Sequence, residues 1–136
     1  MVHLYSHSSA FVLDQDSAKT FYVDKLGFEV RTDATMDGGF RWLTVGTKAQ
    51  PDLELILMPT SSIEDLEDRA DVERLIRKGV FGIGVLETLD VKEDYERLKG
   101  LGVEFKSEPS DEFYGIESIG QDDSGNWFSY TQRKAH

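Results

Sequence analysis

No cysteine occurs among the 136 residues, which excludes disulfides, thiolate nucleophiles and cysteine-ligated zinc or iron–sulfur centres together. Any chemistry must come from oxygen and imidazole groups. Long apolar runs are missing as well: no stretch approaches the ~18 apolar residues of a spanning helix, and Met1 to Tyr5 carries no basic stretch ahead of an apolar one. A cytoplasmic protein without a membrane partner is expected. Positive charge is scarce, with 15 Lys and Arg against 26 Asp and Glu and a formal charge of −11. Such a chain repels phosphate backbones within about a Debye length, so no nucleic-acid partner is expected. The surplus carboxylates read as a solvated surface. Low-complexity tracts are absent too, which makes a purely structural or interaction module the least attractive function. What remains is a core-forming composition, 39% apolar and 11% aromatic, sufficient for one domain or two interlocked halves.

The chain repeats itself. Asp16 to Val30 (DSAKTFYVDKLGFEV) has a counterpart in Asp90 to Phe105 (DVKEDYERLKGLGVEF). Each reads as a capped helix followed by a strand: Ala18, Phe21, Tyr22 and Leu26 form one apolar stripe, and Val91, Tyr95, Leu98 and Leu101 the other. Asp16 and Asp90 are suited to cap, while Gly27 and Gly102 are suited to close. Strand-like runs precede the helices at Tyr5 to Leu13 and Phe81 to Thr88. Further strands follow at Phe40 to Val45 and Leu53 to Met58, then at Ile116 to Gly120 and Trp127 to Gln132. Asp37-Gly38-Gly39 and Asp122 to Asn126 supply turns.

Between the halves, Ser62 to Gly79 reads as a helical linker, with Ser62 and Asp65 in the spacing of a capping box and Arg74, Arg77 and Lys78 at the far end. The division is a first β-α-β-β-β module over 1–60, the linker over 61–79 and a second module over 80–136, together one domain. The expected fold class is α+β: tandem modules, two four-stranded mixed sheets forming a cleft, and helices on the outer faces. Uncovered sheet faces must bury or enclose something. A small organic ligand is the expected occupant.

The pieces VLDQDSAKTFYVDKLGFEV, FRWLTV, DLELILMP, GVEF and DDSGNWFSYTQ, in that order, resemble the vicinal oxygen chelate superfamily of glyoxalases, bleomycin resistance proteins and extradiol dioxygenases. That scaffold hosts isomerases, dioxygenases, lyases and metal-free drug binders, so the resemblance speaks to fold before function. It implies four metal-ligand positions on the cleft face. His7, seven residues before Asp14, matches the first, and Glu54 the second. The third falls on Ile83, with Gly82 and Gly84 beside it, and the fourth on Ser129. Two of four ligands are thus lost, although Glu87 could stand in from a deeper rung.

Period-two alternation places His7, Ser9 and Phe11 on one strand face, and likewise Glu54, Ile56 and Met58, then Ile83, Val85 and Glu87, then Trp127, Ser129 and Thr131. Phe40, Trp42, Phe113, Tyr114 and Trp127 come from segments that would rim the cleft and suit a flat or hydrophobic ligand. Arg41 could clamp an anionic group on it. The candidate ligand-binding set is therefore Arg41, Trp42, Phe40, Tyr114, Trp127, Ser129 and Glu87, with His7 and Glu54 as candidate metal ligands. His3 and His136 are expected to be exposed and uninvolved.

Two readings follow. One is a small-molecule binder of the glyoxalase and bleomycin-resistance type without a tightly bound metal or other cofactor. The other is a lyase, isomerase or dioxygenase using a divalent metal on His7 and Glu54. The resemblance also implies a two-fold homodimer, in which modules abut within or between chains to complete the cleft.

Overall fold

The computed structural model describes residues 1–134, so His136 lies outside the described residues. The first half contains β1 (His7–Val12), α1 (Gln15–Thr20, continued by a π turn over Phe21–Lys25), β2 (Glu29–Thr35), β3 (Arg41–Gly46) and β4 (Glu54–Pro59). A 3-10 turn (Thr60–Ser62) and α2 (Leu66–Arg77) lead to β5 (Gly82–Glu87) and α3 (Val91–Gly100). Then come β6 (Glu104–Phe105), β7 (Ser110–Glu112), β8 (Gly115–Gln121) and β9 (Trp127–Arg133).

The strand orders β1-β4-β3-β2 and β5-β9-β8-β6 are the same arrangement twice. In each sheet one pair is parallel, β1 with β4 and β5 with β9, and the others are antiparallel. The fold is α+β, with two mixed sheets. The second sheet has five strands rather than the expected four, because β7 also pairs with β8. Its edge is split. Ser107 leaves the ladder to accept the Ile119 amide on its own hydroxyl, and Pro109 supplies no amide hydrogen to continue it.

Helix ends obey local chemistry, with two shifts from the sequence reading. Asp14, not Asp16, caps α1: it is extended, with φ −147° and ψ 122°, and accepts from the Ser17 amide at 2.8 Å. Asp65 caps α2 by accepting from the Asp68 amide, while Ser62 donates to the Pro59 carbonyl within the 3-10 turn. Asp90 caps α3 as expected, through the Glu93 amide at 3.1 Å. Gly27 and Gly102 take φ of +84° and +88° after the two repeat helices, where a side chain would be strained.

Both sheets direct one face to a single core. Val12, Leu43, Val45 and Leu57 from the first sheet meet Phe128 and Tyr130 from the second, with Ala18, Phe21, Tyr22, Val91 and Leu98 from the helical segments between them. Phe21 and Phe128 rings lie 6.4 Å apart across the halves. The turn 122–126, read from sequence as a hairpin connection, also joins the halves. Tyr22 donates its hydroxyl to Asp122 at 2.8 Å, Asn126 donates Nδ2 to the Phe11 carbonyl, the Leu13 amide donates to Ser124, and Ser17 donates to Asp123. Burial and the neighbouring Asp122 carboxylate hold the Tyr22 phenol well above its ordinary range.

Removing the hydroxyl in Tyr22→Phe strips one donor from a buried carboxylate and is expected to cost about 1.5–3 kcal/mol. Asp122→Ala, which strands several donors at once, is expected to cost more. Urea denaturation checks both, and a Tyr22→Phe change within about 0.5 kcal/mol of zero would show that this contact is dispensable.

Candidate functional site

The faces turned away from the core carry the chemistry. On the first sheet, parallel pairing sets His7 directly opposite Glu54, and His7 Nε2 lies 3.4 Å from Glu54 Oε2. The other carboxylate oxygen accepts from the buried Thr44 hydroxyl at 2.7 Å. Ser6 Oγ lies 2.8 Å from His7 Nδ1. The half-buried carboxylate thus has a hydrogen-bond donor on one oxygen and an imidazole beside the other, which offsets part of the cost of seating it on an apolar strand. Phe11 continues this face and is 38% exposed. Trp42, half-buried on β3, has its ring 6.4 Å from Phe40.

The second face is built around a bulge. The β5–β9 register slips between Gly82 and Gly84, and Gly84 takes φ +113°. One extra residue reverses the alternation. Ile83, expected in the cleft, therefore packs against the core, while Val85 is 69% exposed. At Gly82 a β-carbon would lie 2.5 Å from Cε2 of Trp127. The indole occupies the space that a side chain at position 82, next to the expected third ligand position, would need.

Further along this face, Ser129 donates to the Glu117 carboxylate and lies 2.7 Å from the Thr131 hydroxyl. Tyr114 donates to the other Glu117 oxygen at 2.5 Å, a bond that raises the phenol to about 12. Glu87 pairs with Arg133 at 3.0 Å. Glu117 was missed in the sequence. Its signal was a carboxylate within the penultimate strand, directly opposite Thr131, but the resemblance directs attention to the first and last strands of each half.

Arg41 lies on the other face of β3 from Trp42 and Thr44. Its guanidinium holds Asp33 at 2.8 and 3.0 Å and Asp16 at 2.6 Å, and with Lys19 it keeps the Asp33 carboxyl well below the usual range. The expected anion clamp is thus spent on the protein's own carboxylates. Within the chain the two faces are not joined. Among the described residues, side-chain hydrogen bonds between the halves run through residues 122–126, apart from Arg97 to the Lys25 carbonyl. His3 is exposed, as expected.

A family model described as Glyoxalase/Bleomycin resistance protein/Dioxygenase superfamily matches residues 4–130. The chain belongs to this superfamily. Among solved structures it is similar to UcmS2, with 48% identity over 96% of this chain and 98% of that one and a TM-score of 0.91. It also resembles TnmS3, an antibiotic binding protein from Streptomyces sp. CB03234, with 27% identity over 98% of both chains and a TM-score of 0.74. The uncharacterized protein YurT of Bacillus subtilis (strain 168) is 36% identical over 93% of this chain and 96% of its own length.

Members of this superfamily often bind a divalent metal, but the donor set of this chain does not fit one. His7 and Glu54 form one pair, Ile83 at the third position is apolar and packs against the core, and the fourth is a buried serine already bonded to Glu117. Among the described residues no three His, Asp or Glu side chains gather into a metal-sized cluster. A protein site for a catalytic divalent ion ordinarily supplies about three.

His7→Ala and Glu54→Ala are expected to be non-additive in stability, with a coupling of about 0.5 kcal/mol given the partial exposure of both groups. A double-mutant cycle by urea denaturation measures it. Coupling indistinguishable from zero would mean that the 3.4 Å approach carries no energy.

Proposed function

We propose that this protein is a small-molecule binder that holds an organic ligand against the two open sheet faces, without a tightly bound metal. The carrying observation is the Trp127 indole lying across Gly82, an apolar aromatic surface on the wall where the expected third ligand position, Ile83, is apolar and turned to the core. Aromatic platforms with a few fixed polar groups are the usual composition of organic-ligand sites. The description of TnmS3 as an antibiotic binding protein supports the same reading.

The ligand site, in this proposal, is completed by a second copy in a two-fold homodimer. Phe11 and Val85 are exposed on the faces turned away from the core, and a closed two-fold pairing would set the first wall of one copy against the second wall of the other. Trp42, Phe40, Tyr114, Trp127 and Ser129 then contribute to one cleft. Glu87 lines its edge.

The second reading, a metal-dependent lyase, isomerase or dioxygenase, draws on the surviving His7–Glu54 pair. It requires a third donor, and the second copy's wall is where that donor would come from. Elemental analysis of protein purified without chelator separates the readings: less than about 0.1 equivalent of metal is expected, because affinity falls steeply with ligand count. One retained equivalent of iron, nickel or zinc would overturn the metal-free proposal. Light scattering is expected to give twice the 15.4 kDa chain mass at micromolar concentration, and a monomer would remove the intersubunit site.

A further inference from the structure

The two walls carry the same hydroxyl–carboxylate pair with its strands exchanged. On the first, Thr44 of β3 donates to Glu54 of β4; on the second, Ser129 of β9 donates to Glu117 of β8. In the shared strand order, β3 corresponds to β8 and β4 to β9. The difference lies in the second oxygen. Glu54 turns it to His7 and Glu87 faces Arg133, so each has a cationic or potentially cationic neighbour. Glu117 has Tyr114 instead, another neutral hydroxyl. Among the described residues, Glu117 makes no ion pair. A carboxylate offers about four lone-pair positions, and Ser129 and Tyr114 fill two of them.

Trp127 and Ser129 are alternate residues on one face of β9, hence about 7 Å apart along the strand. A fused aromatic ring stacked on the Trp127 indole would therefore bring a substituent at its far end to the Ser129–Glu117 pair. The anion clamp that Arg41 could have supplied is on the opposite face of its sheet, held by Asp33 and Asp16.

Building on the small-molecule reading above, we propose that Glu117 is the specificity-determining residue of the ligand site, accepting a hydrogen bond or ion pair from a planar aromatic ligand. The site selects neutral hydrogen-bond donors and cations over anions. Ser129 and Tyr114 are positioning residues that fix the carboxylate, while Trp127 supplies stacking that does not discriminate charge.

Four naphthalene probes of one ring size test this by Trp fluorescence titration: naphthylmethylammonium, naphthol, methoxynaphthalene and naphthoate. The intact protein is expected to bind the ammonium and naphthol probes at least about tenfold more tightly than naphthoate, with methoxynaphthalene between, as a charge-assisted hydrogen bond allows. Glu117→Gln is expected to erase the preference for the cation and the penalty on naphthoate. Tyr114→Phe, an exposed substitution that frees one carboxylate oxygen, is expected to keep the ranking and strengthen the cation; it serves as the test should Glu117→Gln fail to fold. Trp127→Ala is expected to weaken all four alike. If Glu117→Gln folds and keeps the ranking while Trp127→Ala abolishes binding, the role of Glu117 is overturned and the small-molecule reading stands. Should Tyr114→Phe leave the cation unstrengthened or lose the ranking, the role of Glu117 is likewise overturned. If the intact protein binds none of the four probes, both readings fall.

Discussion

The structure depends on one buried carboxylate. Asp122 accepts on one oxygen from the backbone amides of Ser124, Gly125 and Asn126, each at 2.9 Å, and on the other from Tyr22 and the Asn126 side chain. A buried charge is tolerated only when its acceptor capacity is filled, and here the donors come from both halves of the chain. The turn that Asp122 organises then reaches back to Phe11, Leu13 and Ser17. This clamp ties the second half's turn to the first strand and helix of the first half, beside the shared core.

Because the helical segments and the core-facing sides of both sheets are spent on one hydrophobic cluster, the remaining faces are left for binding. Their composition follows a consistent economy. Each half keeps one carboxylate held by a strand hydroxyl, with a tryptophan, Trp42 or Trp127, two residues from that hydroxyl on the same strand face. The glycine at position 82 is the pivot of this exchange: without a side chain it admits the Trp127 ring, and the bulge beside it sends Ile83 into the core. The donor set is incomplete because residues 83 and 129 are isoleucine and serine, and the bulge adds that Ile83 leaves this face altogether.

Much of this was legible in the residues themselves. The repeated helix-and-strand pattern, the closing glycines, the Asp90 cap and the apolar stripes of both repeat helices are consequences of local periodicity and capping. They survive in the folded chain almost where they were expected. The pairing of His7 with Glu54 was also accessible, because alternation on two parallel strands leaves little choice of face. The cap at Asp14 was missed by two residues, since both aspartates satisfy the same local preference and only the extended backbone at Asp14 chooses between them.

Local chain pattern specifies the two β-α-β-β-β units, their amphipathic helices and the face on which each first-half strand carries its polar residues, because these depend on neighbours within a few positions. Tertiary structure decided the rest of the site. The Arg41 guanidinium chose Asp33 and Asp16 over a ligand, Ile83 crossed from the cleft to the core, and Glu117 met Ser129 and Tyr114. Each outcome turns on a register shift or on a partner brought near by strand pairing. The bulge turns only Ile83 inward while Val85 and Glu87 keep the face that alternation gave them, and the glycines at 82 and 84 mark its place without stating which residue is the extra one.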